Sequence, residues 1–181
     1  MSGDIVHDQA TDDLSTWGIE RLEAHAAVLG HGQWALEAIR ELAQSRVYQA
    51  GEERHARLRW AKLSLAANRR FHDEFPWHRA RMLDQDFMLR TWVIEHLGPD
   101  EADADWDPEA LAADTLAALS LDPEQAASRS ASWRTLPAEQ IGELRRHKNL
   151  TRHLGRLIGF LHPGPVKDQL TGWQEIRGRL P

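Results

Sequence analysis

The sequence predicts an all-α fold, on three observations. β-branched residues are scarce and never alternate with polar residues over four or more positions, so no strand candidate survives. Apolar residues recur instead at three- and four-residue spacings through most of the chain. Helix-start and helix-stop signals punctuate them. The expected architecture is a single-domain bundle, residues 1–181, of seven or eight helices around one core. Residues 1–12 are expected as a flexible tail, and an acidic loop is expected near 98–107.

Asp13 or Ser15 can cap a first helix running to about Leu29, which Gly30-His31-Gly32 breaks. Trp34 to Gln49 is periodic through Leu36, Ile39, Leu42 and Val47. A break at Gly51 precedes a long helix to about Phe71, which Pro76 stops or kinks. From Trp77 to Leu97 the chain is apolar on most faces, which places this helix centrally, and Gly98-Pro99 ends it. Asp107-Pro108-Glu109 and Asp122-Pro123-Glu124 repeat one start signal: Asp as N-cap, Pro at the first helical position, Glu near the positive helix end. Each opens a helix of about twelve residues. Pro137 starts a basic helix that runs to Leu161, His162-Pro163-Gly164-Pro165 ends it, and a last helix from Val166 to about Ile176 carries Trp173.

The 181 residues are 41% hydrophobic and 28% charged, enough chain to bury a sizeable core. There is no cysteine, which excludes disulfides and thiolate metal sites and predicts a reducing, cytoplasmic setting. The N-terminus has no basic or apolar leader segment, and no apolar run approaches the ~18 residues of a membrane span, so no membrane partner is expected. Nineteen arginines against three lysines, with abundant alanine, read as a bacterial coding bias. The net charge of −6 is laid out in blocks. Residues 1–53 carry ten acids against three bases, 54–81 eight bases against two acids, 100–124 nine acids and no base, and 139–181 eight bases against four acids. Such segregation suits separate cationic and anionic faces, unless packing mixes the blocks in space.

Several chemistries lack their residues. No Gly-rich phosphate loop, G-x-S-x-G or H-E-x-x-H occurs. The histidine pairs His25/His31, His72/His78 and His147/His153 are six apart, about 240° around a helix, so they do not converge on one metal ion. Surface or capping roles are expected for them, with no metal and no cofactor. Arg90 falls on the apolar side of the central helix with Asp86 four residues earlier, so a paired structural arginine is expected; the sharper alternative is a buried ligand clamp.

The basic segment 139–161 carries the clearest pattern. At 100° per residue, Arg145, Lys148, Arg152 and Arg156 fall within about 80° of one another, opposite Leu144, Leu150, Leu154, Leu157, Ile158 and Leu161. His147 falls on the apolar side. With Arg69 and Arg70 from the earlier basic block, these four form the expected contacts to nucleic-acid phosphate.

Within this segment Lys148-Asn149-Leu150-Thr151-Arg152-His153 resembles the R-N-x-x-x-H signature of HEPN-domain proteins, an all-α family that includes metal-independent ribonucleases of bacterial defence. The resemblance implies Lys148, Asn149 and His153 as a catalytic set, with Arg146 a possible substitute. Lysine stands where the family has arginine, and it lacks the bidentate fork. The arginine-bearing helices (Arg54, Arg57, Arg59, Lys62, Arg69, Arg70 and 145–156), followed by a turn and the Trp173 helix, are similar to the small helical subunit of multi-subunit CRISPR effector complexes. That resemblance implies a non-enzymatic subunit of an antiviral defence complex, with RNA or single-stranded DNA and other subunits or further copies as partners. A third reading is a helical protein–protein module such as an immunity or adaptor protein. Eight tryptophans exceed what one small core needs, and two or three are available as surface anchors.

Overall fold

A computed structural model describes residues 14–73 and 78–181. All regular structure among them is helical: α1 (Ile19–Val28), α2 (Trp34–Tyr48), α3 (Arg54–His72), α4 (Arg79–Leu97), α5 (Pro108–Ala117), α6 (Pro123–Ala131), α7 (Ala138–Leu150), the single turn α8 (Leu154–Leu157) and α9 (Pro165–Ile176). The expected tail at 1–12, the Asp13 cap, the Pro76 stop and Trp77 lie outside the described residues.

Both Asp-Pro-Glu signals act as read. Asp107 accepts from the Glu109 N–H at 2.9 Å, and Asp122 and Gln125 form a reciprocal capping box. Gly98 ends α4 at φ 87°, a conformation that costs glycine little and any other residue much. One helix start and one helix end differ from expectation. The first helix begins at Ile19, because Gly18 is extended and Ser15 belongs to a separate 3₁₀ turn, Leu14–Thr16. The basic segment is not one helix. Buried Thr151 turns its hydroxyl back to the His147 carbonyl at 2.7 Å, and the next amides bond three residues back, Arg152 to Asn149 and Leu154 to Thr151. This tightening separates α7 from α8.

The expected single core is two clusters that share α4. Leu89 and Val93 face a cluster built from α1, α2 and α3, with Trp106 folded onto it. Phe87 and Ile94 face a second, built from α5, α6, α7, α8 and α9 around Leu144, Leu170 and Trp173. An α4 apolar all round is what this geometry requires. Trp60, Trp106 and Trp173 are buried, Trp17, Trp92 and Trp133 are partly buried, and Trp34 is 78% exposed.

Arg90 stands at the seam, buried to 3% exposure. Its Nε and Nη2 donate to the carbonyls of Asp105 and Ala104 at 3.0 and 2.8 Å, and its Nη1 meets Asp114 at 2.6 Å and Asp86 at 3.5 Å. The expected Asp86 pair is present, but three further acceptors tie α4 to the acidic loop and α5. Arg69 of α3 bridges Asp86 and Asp105 at 2.8 Å each, and Lys62 holds Asp103 and Asp105 at 2.6 and 2.5 Å. The acidic loop is therefore a seated element that spends its charge on the basic block of α3.

Truncating Arg90 strands two loop carbonyls and Asp114. Arg90→Ala is expected to cost about 3–5 kcal/mol of stability by urea denaturation. Arg59→Ala, which removes solvent-exposed pairs with Glu20 and Glu23, should leave the midpoint nearly unchanged.

Candidate nucleic-acid interface

Five of the six cations expected on phosphate are engaged within the chain. Arg69 holds Asp86 and Asp105. Arg70 donates both guanidinium ends to the carbonyls of Ala26 and Leu29, capping the C-terminus of α1. Lys148 donates to the Leu180 carbonyl at 2.7 Å. Arg152 pairs with Asp84 at 2.7 Å, and Arg156 with Glu95 at 3.2 Å. Only Arg145 of the six is exposed without a recorded partner among the described residues. The break after Leu150 also ends the common stripe, so Arg152 and Arg156 lie against α4 while Arg145 remains on α7.

The residues of the HEPN-like motif take separate environments. The Lys148 ammonium is turned to Leu180, and Asn149 is exposed. His153 is half-buried; its Nε2 accepts from Arg152 Nε at 2.7 Å and stands 4.0 Å from Asp84 Oδ1. Burial, reinforced by the charges of Arg152, Arg156 and Arg177, pushes its imidazole down to about 4. Burial pushes the Asp84 carboxyl upward against the pull of Arg152. Of the other paired histidines, His72 and His147 are buried rather than on the surface, each 3% exposed. No group of three or more His, Asp or Glu among the described residues is arranged to hold a metal ion.

Two clefts border α4. The larger, about 570 Å³, is lined by the paired Arg69–Asp86–Arg90–Asp114 network and by Arg79. The second, about 510 Å³, shares Arg79, Leu83, Ala117 and Ala118 with the first and continues to α7. Arg79 at the start of α4 and Arg146 on α7 line it, both exposed. Arg79 has no ion pair among the described residues, whereas Glu143, held below its ordinary range first by the Ser120 hydrogen bond, also feels the charge of Arg146. Ser120 and His147 close its far side. The Ser120 hydroxyl donates to Glu143 at 2.6 Å, and the Ser120 N–H donates to His147 Nε2 at 3.1 Å. The same Nε2 stands 3.1 Å from the Ser120 hydroxyl, so Ser120, His147 and Glu143 form one hydrogen-bonded cluster on this side of the cleft.

Sequence reading passed over Arg79. It was one of eight bases in the 54–81 block, and nothing in its spacing separates it from Arg69 or Arg70. What separates them is the fold: the acidic loop engages Arg69, and the C-terminus of α1 engages Arg70. Comparison with family models, curated proteins and solved structures returns no match for the chain. The site therefore rests on its geometry.

A depressed histidine has a definite pH signature. Between about pH 4 and 6.5 the unfolded chain binds a proton at residue 153 that the folded chain does not, so stability is full above 6.5 and falls as pH drops toward 4. His72 and His147, also pushed down by burial, act in the same direction, and Asp84 opposes them. The His153 ring resonances are expected to titrate near pH 4 by NMR. His153→Asn should shrink the loss of stability across that window by up to about 3 kcal/mol.

Proposed function

We propose that this chain is a non-catalytic helical subunit that binds the phosphate backbone of RNA or single-stranded DNA within a larger bacterial ribonucleoprotein. The observation that carries the reading is the pair of exposed arginines, Arg79 and Arg146, on one groove, neither of them hydrogen-bonded to a carboxylate among the described residues. Guanidinium groups held on helices with their donors free suit phosphate oxygens. In a chain of net charge −6, attachment is local to this rim and not spread over the surface. Binding is preferred to cleavage because Lys148 is committed to a carbonyl and His153 Nε2 is occupied by the Arg152 guanidinium. A place in an antiviral complex of the CRISPR effector kind belongs to the same proposal, supported by the order of the basic α7 and α8, a turn at 162–164 and the Trp173-bearing α9.

Fluorescence anisotropy with a labelled single-stranded oligonucleotide tests the reading. With two or three phosphates engaged, affinity should fall roughly tenfold between 50 and 200 mM salt. Arg79→Ala with Arg146→Ala should abolish measurable binding, whereas Arg152→Ala and Arg156→Ala should leave most of it. Absence of binding at low salt, or equal loss from all four positions, contradicts the assignment.

A further inference from the structure

The groove between α4, α5 and α7 has an apolar floor as well as a cationic rim. Leu83, Ala117, Ala118 and Leu150 line it below Arg79 and Arg146. Backbone binding alone needs charge on an open surface; it does not need a recess of about 510 Å³ with aliphatic walls. A recess of this size exceeds the volume of one nucleotide and offers two unlike surfaces, one for phosphate and one for a base face. The Ser120 hydroxyl, now donating to Glu143, is the polar group within reach of a base edge.

We infer that the groove seats one unstacked nucleotide, its base on the Leu83–Ala117–Ala118–Leu150 floor and its phosphate between Arg79 and Arg146. The inference rests on the backbone-binding reading and adds a specificity to it. A base inside a duplex is stacked on both faces and cannot reach the floor, so the chain discriminates single strands from duplexes. Selection among the four bases is weak, because every base presents an apolar face and only Ser120 offers a polar contact.

Three probes of equal length separate the possibilities: an intact single strand, the same strand with abasic sites throughout, and a blunt duplex, each as RNA or DNA where the chemistry allows. The intact strand should bind at least tenfold more tightly than the abasic strand, and more tightly than the duplex despite the duplex's greater charge. Methyl resonances of Leu83 and Leu150 should move under ring current with the intact strand and not with the abasic one. If abasic and duplex probes bind as well as the intact strand and still depend on Arg79 and Arg146, the base seat is overturned and the backbone reading stands. If no probe binds at low salt, both fall.

Discussion

The buried guanidinium of Arg90 is the constraint on which the arrangement depends. A charge on the apolar side of a central helix is tolerable only if every donor finds an acceptor. Three acceptors meet it, two carbonyls of the acidic loop and Asp114 of α5, and Asp86 one turn back on α4 adds an ion pair at 3.5 Å. Satisfying Arg90 thus draws the loop and α5 onto α4, where one cluster of apolar side chains lies on either side. Once the loop is seated, Asp103 and Asp105 come within reach of Lys62 and Arg69 on α3. Burial pushes the Asp105 carboxyl up, but the hydrogen bonds from Lys62 and Arg69 outweigh it and hold the group below its ordinary range.

That arrangement explains why charge read along the chain is a poor guide to charge on the surface. The basic block of 54–81 and the acidic block that follows Pro99 were candidates for separate faces. In the fold Lys62 and Arg69 of the first pair with Asp103 and Asp105 of the second, Arg59 and Arg81 pair with glutamates of α1 and α2, and Asp84 and Glu95 pair with Arg152 and Arg156. Among the described residues, the exposed cations without a hydrogen bond to a carboxylate include Arg79 at the beginning of α4 and Arg145 and Arg146 on α7. Function is proposed at this residue of the charge balance, not at the densest basic run.

The helices were legible because their signals are local. The Asp107 and Asp122 caps, the Gly98 stop and the all-round apolarity of α4 each depend on residues within a turn or two. Arg90 was legible as a paired arginine for the same reason, since Asp86 lies four residues away on one helix. The end of α7 at Leu150 was not, because a periodic pattern continues through it and the break depends on a buried threonine hydroxyl turned back on its own helix. Arg79 and the groove were not legible either. Which cations remain free is decided by contacts between segments 17 to 68 residues apart, such as Arg69 with Asp86 and Arg152 with Asp84.

The claim at the centre is that Lys62 and Arg69 of α3 are committed to the seated acidic loop. A double-mutant cycle on Arg69→Met and Asp105→Asn, read by urea denaturation at low and moderate salt, addresses it directly. A coupling energy of about 1 kcal/mol, only weakly reduced by salt, is the predicted result. Additivity within about 0.3–0.5 kcal/mol would contradict it and return both blocks to the surface as candidate binding faces.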